Sequence, residues 1–263
     1  SAAGGRISIV DASTGALLGD VEDSRAARTV HPGAVYLHRG QQYVVAALDL
    51  HRRSALVEPS NVAWYTLPKV DTDMHVVETT TIRQSGAVVA HWGVVDVHEQ
   101  LVGYQRTHVT TQQVLDVVPL ELPPFSYGTE AIWFEPPGHA LEGMDEEVLL
   151  GSLHAAEHAL IAMLPLIATC DRADIGGLST NWHEACDAPA IFIYDGHPGG
   201  VGITRAGFDT MERWVDVTLT MLRGCPCDTG CPSCVQSPKC GNLNEPLNKL
   251  GAIRVLAAIK GGE

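Results

Sequence analysis

The chain has 263 residues, of which 45% are hydrophobic and 18% charged, a composition typical of packed globular domains and unlike that of a disordered chain. Its net charge of −14 argues against a nucleic-acid-binding surface spread over the whole chain, because such a surface repels phosphate. No stretch of about 18 uncharged apolar residues occurs, which argues against a membrane-spanning helix. The chain starts with SAAGG and no methionine, so we expect it to be a piece of a longer protein.

Residues 1–125 have the pattern of an antiparallel, strand-rich subdomain. Val, Thr and aromatic residues are frequent as far as Thr110, and no helix-length periodicity is present. Arg39-Gly40-Gln41-Gln42 is predicted to join one hairpin, and Arg83-Gln84-Ser85-Gly86 a longer pair of strands. These patterns predict a small antiparallel barrel or sandwich, which ends at the proline-rich passage Leu120–Phe125.

Residues 126–263 are predicted to form a second, mixed subdomain of helices and strands. From Leu149 to Ile167 apolar residues recur at spacings of three and four, which predicts an amphipathic helix. Pro165 should kink or end this helix, because proline lacks the backbone N–H. The apolar run at 191–194 predicts a buried strand.

Two more helices are predicted towards the end of the chain. One follows the apolar residues from Phe208 to Leu222. The other begins with Asn244 as its N-cap and Pro246 in its first turn. With the strand-rich first half, these elements predict the α+β class.

His154, Glu157 and His158 form an H-x-x-E-H sequence on the first predicted helix, the motif of inverted zinc peptidases. Histidines at i and i+4 share a face, and Glu157 could act as a general base, so a zinc hydrolase is one hypothesis. Such an enzyme needs another carboxylate ligand, and residues 171–187 hold several acidic residues without a helix signature. A packed or interface histidine pair is favoured, because a chain with 12 histidines produces this short motif by chance.

The sequence from Asp195 to Gly200, DGHPGG, follows a predicted strand and precedes a predicted helix. It could cradle an anion at the helix N-terminus, but its spacing fits neither nucleotide-binding fingerprint. The favoured interpretation is a tight loop in which Asp195 hydrogen-bonds its own turn. The G-x-S-x-G and G-x-x-x-x-G-K-[ST] signatures are absent from the sequence.

Five of the 7 cysteines lie between Cys225 and Cys240. This crowding is typical of one ion that draws several thiolates together, in a reducing, cytoplasmic compartment, and not of a disulfide scaffold. Cys231 and Cys234 form a C-x-x-C knuckle, and Cys225 and Cys227 can supply the other pair. Four thiolates leave no open coordination position, so we predict one structural zinc ion.

A different choice of four ligands stays open on spacing alone. The alternative tetrad consists of Cys227, Cys231, Cys234 and Cys240. Cys170 and Cys186 lie far from the cluster in sequence, and isolated cysteines are more often small buried residues than ligands.

Several sequence blocks, in this order, carry a resemblance to a known family. They are HAAEHAL (154–160), CDRADIGGLST (170–180), IFIYDGHPGGVG (191–202) and GCPSCVQSPKCGN (230–242). Together they resemble the C-terminal zinc-binding domain of superfamily 2 DEAD/DEAH-box DNA helicases of the clade that includes SftH and the mitomycin repair factor MrfA. The opening segment HPGAVYLHRGQQYVV (31–45) is similar to the part that precedes these blocks there.

The resemblance implies a non-motor accessory module. In that family two RecA-like domains hydrolyse ATP and move 3′ to 5′ along DNA, and this chain lacks the Walker lysine. The implied partners are DNA and these motor domains in cis, and only the motor domains would bind ATP. The whole protein would be a cytoplasmic, nucleoid-associated protein of DNA repair. The family's cysteine tetrad falls on four positions of this chain, Cys225, Cys227, Cys231 and Cys234. Its H-x-x-E-H run carries no known peptidase activity.

The charge is unevenly distributed: residues 126–200 hold 12 acidic and 1 basic residue, whereas residues 201–263 hold 6 acidic and 7 basic residues. Only the last segment could approach phosphate without an electrostatic penalty. Its candidates for phosphate contact are Arg205, Arg213, Arg223, Lys239 and Lys249. An alternative function is protein docking, in which the strand-rich half binds a repair partner or the motor domains.

Overall fold

The structure is a computed structural model that describes residues 5–85 and 88–261. The described residues form two compact units. The first contains the chain up to Asp71 together with residues 99–125, and the second contains residues 72–98 and the chain from Ser126 onward. The segment 72–98 thus packs within the second unit, although it precedes the predicted boundary at residue 125. The division into domains 1–125 and 126–263 stays a prediction.

The first unit opens with five strands and one helix: β1 (Arg6–Asp11), β2 (Leu17–Glu22), α1 (Asp23–Thr29), β3 (Val35–His38), β4 (Gln41–Asp49) and β5 (Ser54–Pro59). The strands form one sheet in the order β2-β1-β5-β4-β3. Three of its four pairs are antiparallel, as predicted, whereas β1 and β5 pair in parallel. Helix α1 was also not predicted, because seven residues are too few to show a helical period.

The second sheet is built from six strands: β6 (Trp64–Ser85), β7 (Val88–His108), β8 (Val114–Pro119), β9 (Phe125–Glu135), β10 (Ile175–His183) and β11 (Ala188–Asp195). Its order is β10-β11-β9-β7-β6, with β8 paired to β7. Strand β6 continues to Ser85, through three residues that the sequence had assigned to a turn. At this end of the strand the Arg83 guanidinium donates to the Phe208 carbonyl oxygen (3.2 Å). Gly86 of the predicted turn lies outside the described residues.

The remaining helices belong to the second unit: α2 (Gly138–Leu141), α3 (Glu146–Met163), α4 (Ile203–Asp209), α5 (Met211–Gly224) and α6 (Lys249–Lys260). Helix α3 begins after the N-cap Asp145, whose carboxylate accepts from the Val148 N–H (2.8 Å). It ends before the 3-10 turn Leu164–Leu166, so the predicted effect of Pro165 is confirmed. By length and composition Glu146–Leu166 could cross a membrane, yet 61% of its apolar window is buried inside the structure, as in a core helix.

Two helix predictions need correction. The predicted helix from Phe208 to Leu222 is two helices, because the chain turns at Thr210 between α4 and α5. The last helix begins at Lys249, where the Asn248 side chain accepts from the Gly251 N–H (2.8 Å). Asn244 cannot be the cap, because its φ of 67° is left-handed whereas an N-cap residue has extended dihedrals.

The core of the second unit packs α3, α5 and α6 together and against the second sheet. Trp214 of α5 is fully buried, and its indole N–H donates to the Leu160 carbonyl oxygen of α3 (2.9 Å). Cys234 and Val235, from the loop between α5 and α6, belong to the same buried cluster. The cysteine loop is therefore part of this core.

Candidate metal centre

The four cysteines of the predicted tetrad lie together in the loop after α5. The sulfur atoms are 3.6 Å apart for Cys225 and Cys227, and 3.7 Å apart for Cys231 and Cys234. Between the two pairs, the distances are 3.5 Å from Cys225 to Cys231 and 3.4 Å from Cys227 to Cys234. Four thiolates at about 2.3 Å from a tetrahedral zinc ion would be about 3.8 Å apart, so the arrangement fits this metal.

Backbone hydrogen bonds shape the C-x-x-C knuckle. The Cys231 carbonyl oxygen accepts the N–H groups of Cys234 (3.0 Å) and Val235 (3.2 Å), and the Cys231 N–H donates to the Cys234 sulfur (3.3 Å). Gly230 precedes the knuckle with a φ of 123°, which disfavours any residue with a Cβ atom. A Cβ there would also lie 2.5 Å from the Val235 side chain. The loop thus turns sharply enough to point both sulfurs at one place.

Lys249 neutralises part of the negative charge of this cluster. Its ammonium group donates to the carbonyl oxygens of Cys225 (2.8 Å) and Cys227 (2.5 Å) and lies 3.4 Å from the Cys227 sulfur. Burial raises the pKa of the Cys227 thiol, but hydrogen bonds from the other three cysteines and Lys249 outweigh it and lower that pKa to about 7. Burial raises the pKa of Cys234. The hydrogen bond from Lys249 thus favours the thiolate form of Cys227.

The prediction that Lys249 contacts phosphate needs correction. The residue is 5% exposed, and its ammonium group is bound to the cysteine loop. Charge counting could not show this, because the sequence does not tell which side of α6 faces the loop. Sequence reasoning therefore missed Lys249 as part of the candidate metal site.

We expect Lys249→Met to weaken zinc binding about 10- to 100-fold, the usual effect of removing a group that hydrogen-bonds to metal ligands. Methionine keeps a similar apolar length and removes the positive charge together with the hydrogen bonds of the ammonium group to Cys225 and Cys227. Competition with a chromogenic chelator would measure the affinity. Lys260→Met is the matched control, because Lys260 is on the same helix but pairs with Asp216. Equal zinc affinity in Lys249→Met and wild type would contradict this role.

Cys240 does not lie with the tetrad but beside the two histidines of the H-x-x-E-H sequence. Its sulfur is 3.3 Å from Nε2 of His154, and the ligand atoms of His154, His158 and Cys240 are all within 4.8 Å of one another. The alternative tetrad with Cys240 in place of Cys225 is therefore disfavoured by the geometry. Within the described residues, the third potential metal ligand beside the two histidines is Cys240. None of the acidic residues in 171–187 belongs to this cluster.

Glu157 is placed poorly for a general base. It is 6% exposed, its carboxyl group is hydrogen-bonded to Ser179 of β10, and burial raises its pKa to about 8. A carboxyl group that stays protonated near neutral pH cannot take a proton from a water molecule there. The geometry thus gives the zinc-hydrolase hypothesis no support.

The DGHPGG loop has the structure favoured by its sequence. The Asp195 carboxylate is fully buried and accepts three backbone N–H groups, from Val201 (2.7 Å), Ile203 (3.1 Å) and Thr204 (2.8 Å). Thr129 adds a hydrogen bond from its hydroxyl to the Asp195 carbonyl oxygen (2.8 Å). The donors at the start of α4 are therefore bound by the protein itself and do not form an open anion cradle.

The other basic candidates lie at the surface of the second unit. Arg205 pairs with Asp209 (3.1 Å) and lies over the Trp92 ring, 4.8 Å from its centroid. Lys239 is exposed, and its ammonium group donates to backbone carbonyls of residues 172 and 175. Arg213 and Arg223 of α5 are exposed and, among the described residues, have no acidic partner within 4.0 Å. The guanidinium groups of Arg213 and Arg223 are thus open to an external partner.

Comparison with known proteins places the cysteine tetrad inside a defined domain. The model of the MrfA Zn-binding domain matches residues 156–235, which contain all four cysteines. An uncharacterised protein of Methanocaldococcus jannaschii, MJ1572.1, is 40% identical over 107 residues, which are 40% of this chain and 96% of that protein. The segment that matches the zinc-binding family thus contains the loop that brings the four thiols together.

Longer relatives are named as helicases. The uncharacterised ATP-dependent helicase YprA of Bacillus subtilis is 29% identical over 219 residues, which cover 83% of this chain and 29% of YprA. The crystal structure of the DUF1998 helicase MrfA bound to DNA matches with a TM-score of 0.64 and 27% identity, covering 98% of this chain and 34% of that one. The chain spans about a quarter to a third of the length of these relatives. The chain belongs to the MrfA Zn-binding domain family and resembles part of proteins named as ATP-dependent helicases.

Proposed function

We propose that this chain is the C-terminal, non-motor module of a 3′–5′ DNA helicase of DNA repair, stabilised by a zinc ion that Cys225, Cys227, Cys231 and Cys234 hold. The observation that supports the metal site most directly is the set of sulfur–sulfur distances between 3.4 and 3.7 Å. Four thiolates close the coordination sphere, so the ion would organise the fold and perform no chemistry. Since Cys234 and Val235 belong to the core, a bound ion would stabilise the packing of α3, α5 and α6.

In this proposal ATP is bound and hydrolysed by RecA-like motor domains in cis, in a cytoplasmic protein at the nucleoid. The support comes from the helicase relatives, which are three to four times longer than the matched part. The accessory module would assist DNA engagement or the packing of the motor domains. Its own chemistry is limited to holding the metal and presenting charged side chains.

For DNA engagement we propose that the surface around α5 approaches the phosphate backbone. Residues 201–263 carry one more basic than acidic residue, whereas residues 126–200 carry eleven more acidic than basic ones. Arg213 and Arg223 are the primary candidates, because both are exposed and without an acidic partner among the described residues. Arg205 and Lys239 are secondary, since each already has partners in the protein.

The double variant Arg213→Glu/Arg223→Glu, in the full-length protein, should bind DNA more weakly and with a smaller salt dependence. Each lost phosphate contact lowers the slope of log K against log salt concentration by about 0.9 for duplex DNA, so we expect a decrease of about 2. Fluorescence anisotropy at several salt concentrations would measure this slope.

The matched control is Arg52→Glu, which reverses the charge of an exposed arginine in the first unit. Among the described residues this arginine pairs only with the nearby Asp49. It should leave the slope unchanged. If the double variant kept both the DNA affinity and the salt slope of the wild type, the proposed DNA contact of α5 would be rejected. Packing against the motor domains would then remain as the proposed role of the module.

A further inference from the structure

We propose that His154, His158 and Cys240 form a second transition-metal site, separate from the cysteine tetrad. All three ligand atoms lie within 4.8 Å of one another, and the sulfur of Cys240 is 3.3 Å from Nε2 of His154. The two histidines are one helical turn apart on α3, so their rings are neighbours, packed edge to face with centroids 4.3 Å apart. Two imidazoles and one thiolate form a donor set that suits Zn²⁺.

The orientation of both imidazoles is set by backbone carbonyl groups. Nδ1 of His154 lies 2.8 Å from the Pro246 carbonyl oxygen, and Nδ1 of His158 lies 2.7 Å from the Val235 carbonyl oxygen. A carbonyl oxygen only accepts, so each Nδ1 must carry the hydrogen and each Nε2 must present its lone pair. Histidines that bind metals are held in this way, with one ring nitrogen donating to the protein and the other on the ion.

Cys240 is held in place by its own loop. The Asn244 N–H donates to the Cys240 sulfur (3.2 Å), as the Cys231 N–H does to Cys234 in the tetrad. The Asn244 side chain bridges back to Ser237, accepting from its N–H (2.7 Å) and donating to its carbonyl oxygen (3.0 Å). This closed loop presents the sulfur to the histidines before any ion binds, which lowers the entropic cost of binding.

The site is more enclosed than a chance surface cluster. His154 and His158 are 5% and 6% exposed, and in the described chain the only hydrogen bond of the His158 ring is the one from Nδ1. Its Nε2 lone pair therefore faces the cluster without a protein donor. Glu157 is turned towards Ser179 and is not a ligand. Water would fill the fourth position of a tetrahedral ion.

Such an ion would join α3 to the loop that follows the knuckle, two segments 86 residues apart in sequence. The tetrad, by contrast, draws its ligands from ten consecutive residues. The second site would therefore connect the knuckle region to the core helix, and the chain would hold two zinc ions instead of the one that the sequence predicts. The proposal does not depend on the helicase assignment.

The test is the metal content of the purified chain after dialysis against a weak chelator. Wild type should retain two zinc ions, whereas His158→Gln and Cys240→Ser should each retain one. His183→Ala is the matched control, because His183 is also buried (7% exposed) and hydrogen-bonded to a backbone carbonyl but lies outside the cluster. This control should retain two ions.

A cobalt titration of the wild type keeps the proposal testable if these variants do not fold. The first equivalent of cobalt should give the intense sulfur-to-cobalt charge-transfer bands of a four-thiolate site. The second equivalent should give weaker charge-transfer bands and d–d absorption at shorter wavelength, because its ligands are one sulfur and two nitrogens. A wild type that binds a single equivalent would overturn the proposal and leave a plain thiol–imidazole hydrogen bond. So would two ions in both His158→Gln and Cys240→Ser.

Discussion

Cys225→Ala and Cys234→Ala are each expected to lower the zinc content of the chain by one ion and to destabilise the second unit by several kcal/mol. The structural reason is that three remaining thiolates no longer close a tetrahedral site around zinc. In zinc-finger peptides such sites contribute about 10–16 kcal/mol of apparent binding free energy at pH 7. Metal analysis measures the first effect and urea unfolding the second.

Cys186→Ala is the matched control for these variants. Cys186 is a half-buried cysteine of the second unit that lies outside both cysteine-containing clusters. It should keep the wild-type zinc content. Because Cys240 belongs to the histidine cluster, Cys225 is the residue that tests the tetrad: if Cys225→Ala kept the wild-type zinc content, the assignment of the four ligands would be wrong.

Asp195→Ala is expected to lower the free energy of unfolding by about 3 kcal/mol or more. The variant leaves three backbone N–H groups without their acceptor, and a buried unsatisfied donor costs about 1–3 kcal/mol. The donors of Ile203 and Thr204 are buried, so water cannot easily replace the carboxylate. Urea unfolding, followed by far-ultraviolet circular dichroism, would measure the change.

Asp209→Ala provides the comparison, because it removes an aspartate from the same segment. Asp209 is about half exposed and pairs with Arg205 at the surface, and exposed ion pairs contribute about 0–1 kcal/mol. If Asp195→Ala lowered the free energy of unfolding no more than Asp209→Ala does, the DGHPGG loop would not depend on the Asp195 carboxylate.

Features that depend on short stretches of sequence were predictable. Pro165 ends α3 because it lacks an N–H group, and Asp195 binds the N–H groups of the turn that directly follows it. Cys231 and Cys234 lie in one turn, so their spacing alone brings the two sulfurs together. In each case the interacting groups are within about ten residues, a distance over which backbone geometry leaves few arrangements.

Features that depend on distant segments were missed or misread. The parallel pairing of β1 with β5 joins strands with three others between them in the chain, and no local pattern encodes it. Asn244 looked like a helix cap, but its side chain bridges to Ser237 and the cap is Asn248. The role of the strand-rich half in protein docking stays a prediction, because sequence and fold do not identify a partner.

The amino-acid sequence by itself determined the α+β class, the resemblance to helicase zinc-binding domains and the composition of the cysteine knuckle. Only the tertiary structure decided what surrounds the knuckle: Lys249 lies against it and not at the surface, and Cys240 joins His154 instead of the tetrad. The physical reason is that residue spacing limits which groups one turn can bring together. The packing of α3, α5 and α6 decides which distant side chains share the remaining space.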